Sequence, residues 1–155
     1  MKLLFASVAL FALAVPAAAQ TVPAPIRAAL DNPARPAADK ERDAARHPGE
    51  LLAFAGVKPG DKVADFLMGG GYWTRILAGV VGPNGKVYAY QAKEFIAYRA
   101  DYAKEQDAAV AGLANVVPSR EGLAEVAFPE PLDAIITVQN YHDLHLKFAP
   151  PGAAE

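Results

Sequence analysis

Residues 56–91 read GVKPGDKVADFLMGGGYWTRILAGVVGPNGKVYAYQ and give the strongest indication of the fold. Residues 62–67 form a short apolar run with one acid, and three glycines follow almost at once at 69–71. Residues 72–81 are then apolar at helical spacing, and residues 87–90 are rich in β-formers after a Pro-Asn-Gly turn. The stretch therefore predicts a strand, a glycine loop, a helix and a second strand. Doubly wound folds hold nucleotide-like ligands with such a unit.

The rest of the chain alternates helical and strand patterns. Upstream, residues 39–46 are charged and helix-prone, and residues 49–55 predict a second helix after a proline that suits a first turn. Downstream, residues 92–113 predict a long helix, residues 115–118 a brief third strand, and residues 132–138 a buried fourth strand. Strands that alternate with helices predict an α/β fold, a Rossmann-like doubly wound parallel sheet with right-handed crossovers.

The strand pattern ends early, after about four strands. Only residues 141–155 follow the fourth strand. An apolar last strand would leave an exposed sheet edge that is prone to aggregation. Either another element covers that edge or the sequence is a fragment of a longer protein, and we favour the fragment. Residues 39–155 are accordingly expected to form a partial, truncated domain.

The N-terminus resembles an export signal. Residues 1–19 combine a positive start, an apolar run and small residues before Gln20, which predicts a secretory signal peptide cleaved after Ala19. The apolar run is shorter than the roughly 20 residues that cross a bilayer, so no stable membrane anchor is expected after cleavage. Residues 20–38 are rich in proline and alanine and predict a flexible leader. The mature protein is therefore expected to be periplasmic or secreted.

Composition excludes several classes of function. The chain of 155 residues has no cysteine, so disulfides, thiolate metal sites and cysteine nucleophiles are excluded. Its net charge is −2, and no basic stripe indicates a nucleic-acid partner. The sequence gives no sign of the oligomeric state.

Three motifs in order resemble a known family. They are Arg42-Asp43 with Arg46-His47-Pro48, Gly69-Gly70-Gly71-Tyr72-Trp73-Thr74, and Asn140-Tyr141-His142-Asp143. With the strand before the glycines, they resemble the N-terminal half of a class I S-adenosylmethionine-dependent methyltransferase. The resemblance is greatest to a group of exported, predicted bacterial methyltransferases, and it runs over about residues 31–148. It implies S-adenosylmethionine as the cofactor and a small-molecule substrate as the methyl acceptor.

The resemblance assigns cofactor contacts to the glycine loop and its neighbours. Gly69, Gly70 and Gly71 would let the main chain pass close to the methionine and ribose parts of the cofactor. Asp65 would organise the loop and meet the cofactor's amino group, and Tyr72 would form a wall of the cleft. One position departs from the superfamily pattern, because Leu67 replaces its first glycine.

The second strand also departs from the family pattern. In the family this strand ends in an acid that accepts hydrogen bonds from both ribose hydroxyls, whereas this chain has Gln91. Gln91 can accept one bond and donate another, and Glu94 is the substitute candidate. Both residues could instead be solvated residues at a helix start. Glu121, after the third strand, is implied near the adenine amine, although an ordinary loop acid is the alternative.

The third motif follows the fourth strand, where a doubly wound sheet places its chemistry. Asn140 is a cofactor-binding candidate. His142 could take a proton from an oxygen or nitrogen nucleophile, and Asp143 could orient it or act in its place. These side chains could also cap the next helix. A metal site that includes His145 is a further possibility, although no metal is expected.

Three functions follow from these motifs. The first is S-adenosylmethionine-dependent methyl transfer to a small molecule outside the cytoplasm. The alternative is a non-catalytic cofactor-binding or scaffold domain, which Leu67, Gln91 and the export signal favour. A nicotinamide-dependent oxidoreductase is disfavoured, because the chain lacks Gly-x-Gly-x-x-Gly spacing.

Overall fold

The computed structural model describes residues 21–154. The predicted signal peptide and its cleavage site lie outside the described residues. No helix among residues 21–154 has the length and apolarity that crossing a bilayer requires.

The described chain alternates helices with parallel strands. The strands are β1 (Lys62–Phe66), β2 (Lys86–Tyr90), β3 (Val116–Ser119) and β4 (Ala134–Ile136). The helices are α1 (Ala24–Asp31), α2 (Ala37–Lys40), α3 (Asp43–Arg46), α4 (Pro48–Phe54), α5 (Tyr72–Val81), α6 (Lys93–Tyr98) and α7 (Asp101–Val110), and Tyr141–His145 forms a 3₁₀ helix.

The four strands form one parallel sheet in the order β3-β2-β1-β4. Val63 of β1 is paired with Val87 of β2 on one side and with Ala134 of β4 on the other. The chain first moves outward from β1 through β2 to β3, and then returns to place β4 on the opposite side of β1. The predicted Rossmann-like α/β fold is therefore confirmed, and the strand order reverses between β1 and β4.

Helix α5 is the centre of the core, because its apolar residues recur at helical spacing and are buried. Ile76 and Leu77 are fully buried, and they pack in one cluster with Val63 of β1 and Val87 of β2. This packing fixes α5 against the sheet, so the loop that precedes the helix has a rigid support.

The flexible leader predicted for residues 20–38 is wrong from Ala24 onward. Residues 24–31 form α1, and Ile26 and Ala29 are buried in the same core cluster as α5. A Cβ added to Gly79 of α5 would lie only 2.9 Å from the Cβ of Ala29, so glycine permits this close approach. Two apolar side chains three positions apart form a buried helical face. The prediction relied on the proline- and alanine-rich composition and did not use this spacing.

Other element boundaries also differ from the predictions. The single helix expected at residues 92–113 is two helices, α6 and α7, because Arg99 takes an extended conformation between them. The helix expected at residues 39–46 is two single turns, α2 and α3. Strand β4 has three residues instead of the seven expected at residues 132–138, and it forms an edge of the sheet.

Candidate functional site

The loop between β1 and α5 is shaped by left-handed backbone conformations. Leu67, Gly69 and Gly71 have φ angles of 62°, 53° and 77°. Leu67 thus takes a conformation that glycine favours, and its buried side chain packs beside Tyr90 in a small apolar cluster. A bulky residue in this region is strained by about 1–3 kcal/mol, so the surrounding packing holds the turn in place.

The three glycines have different roles. A Cβ added to Gly71 would lie 2.3 Å from the Cβ of Ala109, so packing against α7 requires glycine there. A Cβ added to Gly69 or Gly70 would meet nothing within 4 Å. The main chain at these two positions therefore faces open space, whereas Gly71 serves the packing.

A cavity of about 200 Å³ opens beside this loop, next to the ends of β1 and β4. Its wall combines the glycine loop, the start of α5, the residues after β4 and two arginines: Arg42, Arg46, Leu67, Met68, Gly69, Gly70, Tyr72, Trp73, Val138, Gln139 and Asn140. The strand order reverses between β1 and β4, and ligands of open α/β sheets bind at such a switch point. This cavity is the candidate ligand site.

Asp65 joins β1 to the first turn of α5. The hydroxyl of Thr74 donates a hydrogen bond of 2.5 Å to its carboxylate, which is 2% exposed. Burial raises the pKa of Asp65 to about 6, although bonds from the Thr74 hydroxyl and N–H oppose the shift. Asp65 therefore fixes the start of α5 to β1 and is not part of the cavity wall. Its contact with a cofactor's amino group stays a prediction.

Gln91 also supports the glycine loop without lining the cavity. Its side chain is buried, and its Oε1 accepts a hydrogen bond of 2.9 Å from the N–H of Gly69. The carboxylate of Glu94 accepts bonds from the N–H of Leu123 and so holds the loop after β3. Gln91 is thus the residue in contact with the glycine loop, and Glu94 has a separate structural partner.

The structure places Glu121 and Asn140 in different surroundings. The exposed residue Glu121 offers its backbone carbonyl to the hydroxyl of Tyr90, at 3.1 Å, and lies outside the cavity wall. Asn140 lines the cavity, and its Nδ2 donates a hydrogen bond of 3.0 Å to the carbonyl of Leu67. Asn140 therefore connects the end of β4 to the loop after β1.

Exposed His142 and half-buried Asp143 form a pair outside the cavity. The His142 Nε2 lies 3.2 Å from the Asp143 Oδ1, and the His142 side chain is 75% exposed. Neither residue lines the cavity, although both follow Asn140 closely in the chain. Among residues 21–154, no cluster of three or more histidine or acidic side chains is arranged to hold a metal ion. The catalytic role of the pair stays a prediction.

An ion pair beside the cavity, between buried Arg35 and half-buried Asp43, was missed from the sequence. Arg35 donates two hydrogen bonds to Asp43, at 2.7 and 2.8 Å, and its side chain is 2% exposed. The hydroxyl of Tyr72 donates a third bond to Asp43, at 2.6 Å. These bonds, the Arg35 pair first, hold the pKa of Asp43 below its usual range. Tyr72 is therefore fixed in the wall by the segment that precedes α4.

A second ion-pair network fixes the glycine loop itself. Buried Asp39 accepts bonds from Arg75 of α5, at 2.7 Å, and from Arg42, at 3.1 Å. Arg75 in turn donates a bond of 2.9 Å to the carbonyl of Gly70. The only signal in the sequence is spacing, because Asp39 and Asp43 stand four residues apart and so share one side of a helical segment.

A comparison with solved structures finds a protein that is similar to this chain. The chain is similar to a SAM-dependent methyltransferase from Aquifex aeolicus. Sequence identity is 29%, the TM-score is 0.55, and the match covers 77% of this chain and 57% of the other. The chain thus spans little more than half the length of that protein. No protein-family model matches the chain. The likeness supports the class I methyltransferase resemblance, and the exported subgroup stays a prediction.

Proposed function

We propose that this protein binds S-adenosylmethionine in the switch-point cavity and transfers its methyl group to a small molecule. The observation that carries the proposal is the bare main chain of Gly69 and Gly70, which faces open space in the cavity wall. Glycine allows a ligand to approach the backbone closely, and the start of α5 offers N–H groups that have no acceptor within the helix. The likeness to a SAM-dependent methyltransferase supports the same reading.

The residues present fit such a cofactor. Gly69 and Gly70 leave room beside the main chain, while Asn140 and Tyr72 supply polar and aromatic parts of the wall. Gln91 lies outside the cavity wall and would hold Gly69 in place, so its contact with a ribose hydroxyl stays a prediction. When bound, S-adenosylmethionine supplies an electrophilic methyl group on a sulfonium. The task of the protein is then to orient the acceptor and to receive its proton.

We propose that His142 receives the proton that the methyl acceptor loses. A neutral imidazole can accept a proton, and the Asp143 carboxylate, whose Oδ1 lies 3.2 Å from the His142 Nε2, can orient it. The support for this role is proximity in the chain, since His142 stands two residues after Asn140 of the cavity wall.

Calorimetry with S-adenosylhomocysteine tests cofactor binding directly. The informative variant is Gly70→Leu, because a side chain there enters open space without a clash and should block the cavity while the fold persists. Ala108→Leu, at an exposed site on α7, adds the same bulk away from the cavity. We expect binding to wild type and to Ala108→Leu, and none to Gly70→Leu. Equal binding to all three would place the ligand elsewhere.

A non-catalytic cofactor-binding or scaffold domain is the second candidate. Two observations favour it: the neutral Gln91 is already engaged with Gly69, and His142 lies on the surface outside the cavity wall. Assays with methyl-labelled S-adenosylmethionine over a broad acceptor panel separate the candidates. Methyl transfer that His142→Ala abolishes supports the enzyme, whereas cofactor binding without transfer to any acceptor supports the scaffold.

The proposed location is outside the cytoplasm. It is supported by the sequence of residues 1–19 alone, which combines a positive start, an apolar run and a small-residue cleavage site. Fractionation of cells that express the full chain, followed by N-terminal sequencing, tests it. We expect a periplasmic or secreted product that begins at Gln20; an uncleaved product in the cytoplasm would overturn the location.

A further inference from the structure

The cavity wall carries positive charge that the neighbouring acids do not balance. Arg42 and Arg46 both line the cavity. Asp43 is occupied by Arg35 and Tyr72, and Asp39 is shared between Arg42 and Arg75. Among residues 21–154, none of the observed ion pairs or side-chain hydrogen bonds involves Arg46. The charge of Arg46 is therefore available to an occupant of the cavity.

Tyr72 holds both arginines in position. The guanidinium carbon of Arg46 lies 4.7 Å from the centre of the Tyr72 ring, and that of Arg42 lies 5.6 Å from it. The ring cannot turn freely, because its hydroxyl is bonded to Asp43, which Arg35 holds through two bonds. Stacking engages the flat face of a guanidinium and leaves its N–H edge available for an acceptor. Arg46 is thus preorganised to bind an anion.

A neighbouring wall residue also lacks a hydrogen-bond acceptor. Trp73 lines the cavity and is 4% exposed, yet its indole N–H has no partner among the described residues. Buried polar groups without partners are rare and often indicate a missing ligand or water. The indole nitrogen of Trp73 is closed to solvent, so the preference for an occupant rich in acceptor oxygens comes from the free guanidinium of Arg46.

We infer that Arg46, assisted by Arg42, binds a carboxylate of the ligand in this cavity. A carboxylate is planar and matches the parallel N–H groups of a guanidinium, which gives two charge-assisted hydrogen bonds. The inference rests on the proposed function and has two possible sources of the carboxylate. One is the methionine part of the cofactor, and the other is the methyl acceptor.

Trp73 provides the readout, because it is the only tryptophan in the chain and lies in the cavity wall. Its fluorescence is followed while wild type and Arg46→Ala are titrated with S-adenosylhomocysteine and with 5′-methylthioadenosine, which lacks the carboxylate. If the cofactor is the source, Arg46→Ala weakens S-adenosylhomocysteine binding by about 10- to 100-fold and changes 5′-methylthioadenosine binding by about twofold or less. Arg46→Lys keeps the charge and restores part of the loss.

A second titration tests the acceptor as the source. Protein saturated with S-adenosylhomocysteine is titrated with benzoate and with neutral benzamide. If the acceptor carries the carboxylate, Arg46→Ala leaves S-adenosylhomocysteine binding unchanged and removes the response to benzoate only.

Arg99→Ala is the matched control. Arg99 also lies over a tyrosine ring, 3.7 Å from the centre of Tyr102, and pairs with Glu105, but it is not part of the cavity wall. We expect its titrations to equal those of wild type. If Arg46→Ala behaves like Arg99→Ala in both titrations, the inference is wrong and the proposed function stands. If wild type binds neither nucleoside, both are wrong.

Discussion

Two regions near the cavity differ in how firmly their charged groups are held. On the side of α2, α3 and α5, Arg35 and Asp39 have side chains that are 2% and 3% exposed, and each has fixed partners. On the side of the 3₁₀ helix Tyr141–His145, the His142 side chain is 75% exposed and has one acidic neighbour. The region of α2, α3 and α5 is therefore preorganised by burial, whereas the region proposed for proton transfer depends on an exposed histidine.

The largest expected effect is on the pair between buried Arg35 and half-buried Asp43. Asp43→Ala leaves the Arg35 guanidinium buried without its carboxylate, so we expect the free energy of unfolding to fall by about 3–5 kcal/mol. Asp143→Ala is the matched change on the exposed side and should cost less than about 1 kcal/mol. Urea unfolding followed by circular dichroism measures both. Equal losses would mean that the two sides do not differ as described.

The next effect is on the pH dependence of stability. Burial raises the pKa of Asp65 from its ordinary 3.8 to about 6, so the folded chain binds this proton more tightly than the unfolded chain. The contribution of Asp65 is therefore complete below about pH 4 and is lost as the pH rises through about 6, by roughly 3 kcal/mol. Asp65→Asn keeps an acceptor for Thr74 and should flatten this slope in urea unfolding.

The control for the pH experiment is Asp143→Asn, which changes an acid on the exposed side. We expect it to keep the wild-type slope between about pH 4 and pH 7, because Asp143 is only half-buried and its partner His142 is 75% exposed. An unchanged slope in Asp65→Asn would show that another group is responsible.

A smaller effect is expected at Gln91. Gln91→Leu removes the acceptor for the Gly69 N–H and should lower the free energy of unfolding by about 1 kcal/mol. Urea unfolding followed by circular dichroism measures this loss. Because Gln91 positions Gly69 of the cavity wall, the same change should weaken S-adenosylhomocysteine binding by about two- to tenfold, which calorimetry measures. Unchanged binding by Gln91→Leu would show that the position of Gly69 does not depend on this bond.

The smallest effect on stability is expected at His142. The side chain is exposed, so His142→Ala should change the free energy of unfolding by about 0.5 kcal/mol or less. If His142 receives the acceptor's proton, the same change should lower the rate of methyl transfer by roughly 10²- to 10⁴-fold. His47→Ala, at another exposed histidine, is the control and should keep both values. Retained transfer in His142→Ala would remove the exposed side from the mechanism.

Part of the candidate site could be predicted from the sequence. Gly69, Gly70, Tyr72 and Asn140 line the cavity as their positions after β1 and β4 predict. Residues that follow parallel strands meet at one edge of the sheet, so local patterns are sufficient to bring them together. The same argument did not bring His142 into the wall, because the 3₁₀ helix that begins directly after Asn140 has no buried residue and leaves His142 exposed.

The residues that support the glycine loop and Tyr72 could not be predicted in this way. Gln91 bonds to Gly69, Asp39 to Arg75, and Asp43 to Tyr72, and these partners stand 22 to 36 positions apart. Local periodicity contains no information about such pairs, because side chains this far apart meet only after the elements pack. The role of Arg46 in the wall depends on the same packing, since its position is set by the ring of Tyr72.

The amino-acid sequence alone was enough to establish the unit β1, glycine loop, α5 and β2, because periodicity and glycine act over a few residues. It was therefore enough to establish the α/β class as well. Packing in three dimensions established that residues 24–31 are a core helix, that Gln91 holds the loop, and that arginines line the cavity. The physical reason is range: backbone preferences are local, whereas burial and ion pairing depend on which distant segments come into contact.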